Sequence, residues 1–407
     1  MPHRSWPVQR TGARQSTVRA ANLALVLQTV LRAPEPLSRA DIAGVTSMTR
    51  ATAARWVDEL VAGGVLAEGI PAQGGGRGRP ATPIVAGRTF AGLGLQVNTT
   101  SLSGRVIALT GEVLAERVTT GDFRGGDPAT VLATLDELCA DLLSATADAR
   151  VVGGVLAVPG LVDTSTGLLL TAPNLGWRDI APVDYLESLA ALLFSIGNEA
   201  DLAARAVADL APGRPAPLRD FFYVSGETGI GGAAVLGGEV ITGRHGWAGE
   251  IGHITVDPTG PECPCGSSGC LELYAGQSQL LCAANLPVGT RPVALADRAR
   301  GGDAAARAAL DRAAWALSLA LSAVVNLLDI PAVVLGGHLG ELSEFLIPPV
   351  RAHLSTRVLS ARWTTPEIIA GQPDSSLSAT GAAYAALSDL IATPTDWLPE
   401  RATDNAS

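Results

Sequence analysis

The chain has 407 residues, 47% of them hydrophobic, and a formal net charge of −10. That length supports two or three domains with substantial cores. No run of eighteen apolar residues occurs, so no membrane span is expected, and all 29 basic residues are Arg, which removes any phosphate-binding lysine.

The charge is unevenly spread. Residues 1–88 carry eleven Arg against five acidic residues, whereas the remainder carries eighteen Arg against thirty-four. A small basic head on an acidic body suits a DNA-binding module fused to a small-molecule domain; a merely solvated basic face has the same composition. Residues 1–15 are polar and Arg-bearing. Leu23, Val26, Leu27, Val30 and Leu31 then recur at helical spacing, and Pro34 and Pro36 end that helix. Ser38-Arg-Ala-Asp41 has the form of a capping box opening a short helix to about Ala43. Thr49 caps a third helix, Arg50 to about Ala62, with Ala53, Trp56, Val57 and Leu60 inward, and Gly63-Gly64 stops it.

Three helices with a short turn between the last two predict a helix-turn-helix. Its third helix would enter the major groove N-terminus first, placing Arg50, Thr52 and Arg55 at bases or phosphates. For Arg55 a solvated helix face is an equal reading. Val65–Gly69 and Ile84-Val85 read as paired strands around Gly74-Gly-Gly-Arg77-Gly-Arg79-Pro80. A flexible loop displaying Arg77 and Arg79 suits the minor groove and would make the head winged; alone it would pass for a linker.

From Phe90 the pattern changes. Ala91–Val97, Arg105–Leu109 and Val113–Val118 read as an antiparallel meander, followed by an amphipathic helix over 129–147 and a buried strand over 151–158. A helix-like stretch over 184–193 leads to Ser195–Gly197. A second round starts at Phe221–Val224 and ends in a long Ala/Leu helix, Ala304–Leu328, with strand Ala332–Leu335 and Gly336-Gly337 behind it. Two such blocks predict two α/β lobes with a cleft between them. Residues 391–407 read as a flexible tail. The domains expected are therefore 1–88, 89–390 and that tail.

Within the second block, Glu250-Ile-Gly-His253 is followed by Cys263-Pro-Cys265-Gly-Ser-Ser-Gly-Cys270-Leu-Glu272. One His and three Cys within eighteen residues, on a Gly- and Pro-punctuated loop, form the donor set of a tetrahedral Zn²⁺ site. Four protein ligands close the shell, which points to a structural metal rather than a hydrolytic one. The competing reading is a disulfide pair with a spare thiol. No apolar signal segment opens the sequence, so a reducing, cytoplasmic setting is expected, and that disfavours the disulfide. Cys139 and Cys282 sit in apolar helix-like stretches and are expected to fill core.

Several segments together resemble the ROK family: Val158-Pro-Gly160-Leu-Val-Asp163, Ala172-Pro-Asn174-Leu-Gly-Trp177, Asn198-Glu-Ala-Asp201, Thr228-Gly-Ile-Gly231, and the Glu250/His253/Cys263/Cys265/Cys270/Glu272 pattern. The resemblance covers roughly residues 90–390, with the winged head placed before it as in that family's sugar-responsive repressors. It implies an α/β, actin-like, sugar-kinase-type two-lobed ATPase fold (ribonuclease H-like lobes) preceded by an α+β winged helix-turn-helix domain. It further implies that Asn174, Asn198, Glu199, Glu250, His253 and Glu272 contact a sugar or sugar phosphate. His253 would give one ring nitrogen to zinc and offer the other to a hydroxyl.

The same resemblance predicts lost phosphoryl transfer. Where the family's kinases carry Asp-x-Gly-Gly-Thr, this chain has Gln96-Val-Asn98-Thr99-Thr100. Glu227 stands where those kinases have Gly, and an anion there would repel phosphate by about 1–4 kcal/mol. Glu199 replaces the catalytic Asp, leaving a vestigial base position and no catalytic residue. The expectation is a repressor of carbohydrate genes, a homodimer or homotetramer that binds double-stranded operator DNA and a sugar effector. The alternative is a sugar kinase with an appended head.

Overall fold

The structure is a computed structural model that describes residues 15–71, 81–227 and 229–399. The chain divides into two compact units. Residues up to Phe90 group with the chain from Ser388 onward, and Ala91–Leu387 form the other.

In the smaller unit, helices Gln15–Arg32, Arg39–Thr46 and Arg50–Ala62 enclose Leu23, Leu27, Ile42, Ala53, Val57 and Leu60, all fully buried. The predicted capping box is present. Ser38 Oγ accepts the Asp41 N–H, while the Asp41 carboxylate accepts the Ser38 hydroxyl at 2.7 Å and the Ser38 N–H at 3.0 Å, which together hold that carboxyl below its usual range. The second helix ends three residues later than expected, where Ser47 takes a left-handed conformation (φ 57°). Strand Pro83–Ala86 pairs antiparallel with Leu66–Glu68 on one side and with the short strand Leu37–Ser38 on the other. Three helices and this three-stranded sheet are the winged helix-turn-helix architecture.

The tail expectation is corrected for residues 391–399. Helix Ser388–Ala392 and the 3₁₀ turn Pro394–Asp396 pack against Gln15–Arg32, with Leu390 and Leu398 buried. Three or four well-spaced apolar anchors are enough to dock such a segment, and they leave no periodic signal.

The larger unit holds two five-stranded sheets. In the first, Leu193–Asn198 lies parallel to Arg150–Val158, and Phe90–Val97, Ser101–Ala108 and Val113–Thr120 form the meander. In the second, Phe221–Ser225 pairs antiparallel with Gly231–Leu236 and parallel with Ala332–Leu335, which continues to Glu367–Ala370. Helices Glu199–Ala208 and Leu377–Ala386 pack on each other between the sheets. Helix Ala304–Leu328 is long and apolar enough to cross a membrane by length and composition. Here it is a core helix, burying Leu310, Ala313, Leu317, Ala320 and Leu321.

Two local expectations fail. Residues 184–193 are not one helix. They form 3₁₀ turns Pro182–Tyr185 and Glu187–Leu189 followed by the strand from Leu193, because the buried Leu186 and Leu189 lie three apart, on one face of a 3₁₀ turn. Cys139 is buried as expected, but Cys282 is exposed and fills no core.

Candidate functional site

The His/Cys cluster comes together as its spacing predicted. The 3₁₀ turn Ile251–His253 presents the imidazole, and the loop from Cys263 to Cys270 folds back through bridges Thr255–Cys270 and Glu262–Ser268. Gly269 (φ 61°) makes the return, and a side chain there would collide with the Asp257 carbonyl. The ligand atoms of His253, Cys263, Cys265 and Cys270 all lie within 4.8 Å of one another. Cys265 Sγ and Cys270 Sγ are 3.7 Å apart, and His253 Nδ1 is 4.0 Å from Cys263 Sγ. A tetrahedral ion with metal–sulfur bonds of about 2.3 Å requires S···S edges of about 3.8 Å. Burial pushes the Cys270 thiol up to about 12, with the neighbouring thiols adding to it. The Ser267 N–H holds Cys265 below the usual thiol range. Three crowded sulfurs ionise together only around a cation, so the cluster fits a metal ion.

His253 also faces the other way. Its Nε2 is 3.8 Å from Glu250 Oε2, so the imidazole links the sulfur cluster to a neighbouring recess. Asn174, Asn198, Glu199, Glu250, His253 and Glu272 all line that recess, which is partly open to solvent. Each arrives from the end of an element. Asn174 follows strand Leu168–Ala172, Glu199 opens helix Glu199–Ala208, and Glu272 opens helix Glu272–Ala275. Glu272 Oε2 accepts the Ile230 N–H at 2.9 Å. A Cβ at Gly229 would fall 2.2 Å from Glu272 Oε2 and 2.7 Å from Asn174 Nδ2, so only glycine lets this backbone approach. Asn198 is already engaged. Its Oδ1 caps the helix through the Ala200 N–H at 2.7 Å, and its Nδ2 donates to the Gly160 carbonyl at 2.9 Å.

The electrostatics of the recess are dominated by carboxylates. Burial pushes Glu199 up to about 8, with the charges of Glu227, Glu272 and Glu250 adding to it. Its Oε2 is buried with no hydrogen-bond partner. Burial likewise pushes Glu227 up to about 7 and Asp201 up to about 7. Burial raises Glu250 as well, against the pull of His253.

Sequence reasoning missed part of this wall. Asn98 and Thr99 line the recess, and both are almost wholly buried. Asn98 Oδ1 accepts the Thr99 N–H at 2.6 Å, and its Nδ2 donates to Glu227 Oε2 at 3.3 Å. Gln96 Oε1 accepts the Ala379 N–H at 3.3 Å. The polar side chains of this turn are therefore bonded within the turn and to its neighbours. Fully buried His338 was also missed. Its Nε2 lies 2.8 Å from the Ala275 carbonyl and its Nδ1 against the Gly226 carbonyl, joining the turn before Glu227 to the helix that carries Glu272. Nothing local in the sequence marks it.

In the smaller unit, Arg50 and Arg55 are exposed on the third helix, with the Arg55 guanidinium 4.0 Å over the Trp56 ring. Thr52 is half-buried, and its hydroxyl bonds Thr49 Oγ1 at 2.8 Å, so it serves the cap rather than projecting freely. Arg39 is neutralised by Asp58 and Glu68 at 2.7 and 2.8 Å. Arg77, Arg79 and Thr228 lie outside the described residues.

Comparison with known proteins fits this architecture. The family model described as "ROK family" matches residues 93–389, and the chain belongs to the ROK family. A xylose repressor of Bacillus spizizenii is 26% identical over 351 residues, spanning 85% of this chain and 89% of that protein. A glucokinase of Halalkalibacterium halodurans is 31% identical over 225 residues, but spans 51% of this chain and 68% of its own length. Among solved structures, a ROK family transcriptional regulator, homologous to the Escherichia coli MLC protein, superposes with a TM-score of 0.75. It is 22% identical and covers 93% of this chain and 99% of its own, so the likeness is one of fold.

Proposed function

We propose that the chain is a sugar-responsive transcriptional repressor of carbohydrate genes. Its winged head binds double-stranded operator DNA, and its ROK body holds the effector. The observation that carries this reading is the pairing of a basic winged head with a sugar-type recess whose Asn98 is bonded to Glu227. The likeness to the xylose repressor, which runs through 85% of this chain, supports it.

In the head, Arg50 and Arg55 would meet DNA, with Arg77 and Arg79 on the wing; Thr52 would act through the cap. In the body, Asn174, Glu199, Glu250 and Glu272 would hold hydroxyls through oriented acceptors and donors. Asn198 would contribute its remaining N–H. His253, Cys263, Cys265 and Cys270 would hold Zn²⁺, a structural ion that fixes the imidazole so that its Nε2 side faces the recess. The assembly would be a homodimer or homotetramer presenting two heads to a two-fold operator. Sugar and DNA would then change each other's affinity by the same factor.

Mobility shifts on the promoter of the chain's own gene, with and without a panel of sugars, test the reading. Binding that a sugar alters is expected. No DNA binding at modest salt under any condition would overturn it. The likeness to the glucokinase keeps a second reading in play, a kinase with an appended head. Steady ADP formation from ATP and a hexose, lost in Glu199→Ala, would establish that one instead.

A further inference from the structure

Residues 241–249 carry two aromatic side chains that the recess does not use. They form neither helix nor strand, and they hold His245 and Trp247 stacked, with ring centroids 4.9 Å apart and planes 28° from parallel. Both rings are exposed, and the indole keeps 42% of its surface in solvent.

The stack is nonetheless fixed. Trp247 Nε1 donates to the Val162 carbonyl at 3.2 Å. The Ala248 N–H closes the loop on the Thr242 carbonyl at 3.0 Å, and the Ile241 N–H ties its start to the Ala234 carbonyl at 2.8 Å. At its end Gly249 (φ 98°) lies so close to strand Gly231–Leu236 that a Cβ would meet the Gly232 carbonyl. An indole whose polar end is satisfied and whose apolar surface stays wet is built to receive something.

Its position says what. Gly160 and Gly249 line the recess. Trp247 is two residues from Gly249, and its bonding partner Val162 is two residues from Gly160, spans of at most about 7 Å of chain. The stack therefore borders the recess on the outside. The recess itself offers carboxylates and amides, which read hydroxyl edges; among the described residues that line it there is no Phe, Tyr or Trp. A pyranose also has faces, whose C–H groups are weakly positive and suit the negative face of an aromatic ring.

We propose that His245 and Trp247 form a second sugar subsite, so that the effector is a disaccharide with one ring in the recess and the next against the indole. This rests on the reading of the recess as a sugar-sensing site and extends it.

Calorimetry on the full-length, metal-loaded protein tests this with matched probes: glucose against cellobiose and maltose, xylose against xylobiose, and mannose against mannobiose. At least one disaccharide should bind about tenfold or more tightly than its monosaccharide, as one stacked, partly desolvated ring gives. Trp247→Ala should bring that disaccharide down to its monosaccharide and leave the monosaccharide within about twofold, since the two subsites are separate. Trp247→Phe keeps a ring but loses the N–H to Val162, and should retain most of the preference. His245→Ala, which leaves the indole and its anchor in place, should reduce it partly.

Monosaccharides binding as tightly as every matched disaccharide would overturn the proposal while leaving the sensor reading intact. No binding of any probe would remove both. Equal losses for both sugars in Trp247→Ala, or a Trp247→Phe as weak as Trp247→Ala, would make the indole a support for the loop and overturn the subsite. Dissociation of the assembly in Trp247→Ala with unchanged sugar affinities would assign the stack to a contact between copies and also overturn it.

Discussion

Glu199→Gln should stabilise the protein, and should do so only in a defined pH range. In the folded chain the carboxyl titrates near about 8, against an ordinary value of 4.5, chiefly because it is buried. Below pH 4.5 the folded and unfolded states both hold the proton, and the residue makes no pH-dependent contribution. Between 4.5 and about 8 the unfolded state releases its proton while the folded state keeps it, so stability falls as pH rises. Above about 8 both are ionised and the penalty stays constant. At pH 7 the difference is worth at most about 3 kcal/mol, and water in the open part of the recess reduces it to about 1–2 kcal/mol. Glutamine keeps the shape and removes the titration. Urea denaturation of both proteins without ligand should therefore give nearly equal stabilities at pH 5 and a more stable variant at pH 8. An equal difference at the two pH values, or a variant less stable at pH 8, would refute the reasoning.

Cys265→Ser should lose bound metal, measured by elemental analysis, and lower the unfolding midpoint, because binding energy at a structural site is folding energy; full metal occupancy would remove Cys265 from the ligand set. Arg50→Ala with Arg55→Ala should weaken operator binding at every sequence tested and flatten the salt dependence by about two counterions if both meet phosphates. An unchanged slope with relaxed sequence preference would move them to base edges instead. His338→Ala removes the donor facing the Ala275 carbonyl and should cost about 1–3 kcal/mol in denaturant unfolding; a loss under 0.5 kcal/mol would mean that water takes its place.

What the sequence made legible was local. The His/Cys cluster could be read because its four residues sit within eighteen positions, and the capping box because Ser38 and Asp41 are three apart. The helix bounds Arg50–Ala62 and Ala304–Leu328 followed from caps and periodicity. The six recess residues required the family resemblance, since no local pattern joins Asn174 to Glu272. What escaped was set by partners distant in the chain. Asn98 and Glu227 are 129 residues apart, and His338 meets Gly226 across 112. The docked segment around Leu398 and the exposed Cys282 were missed for the same reason. Hydropathy says how much a side chain gains by burial, not whether a neighbour is there to bury it.

The Asn98–Glu227 bond would give the proposed sensor a coupling between its two sheets. It joins the turn after Phe90–Val97 in one sheet to the turn after Phe221–Ser225 in the other. A kinase needs that space for a nucleotide and must open it in every cycle. A sensor needs two arrangements of the lobes whose populations a ligand can shift, and a ligand shifts them only by as much as it binds one better than the other. A single hydrogen bond between the lobes is worth about 1 kcal/mol net. That is enough to favour one arrangement and small enough for a sugar to override. A ligand group that draws Glu227 away from Asn98 would favour the other arrangement, whereas one that contacts only Glu250 and Glu272 would bind without a signal. Response and affinity should therefore separate in Asn98→Ala, which keeps the recess carboxylates but removes the bond that the effector has to break.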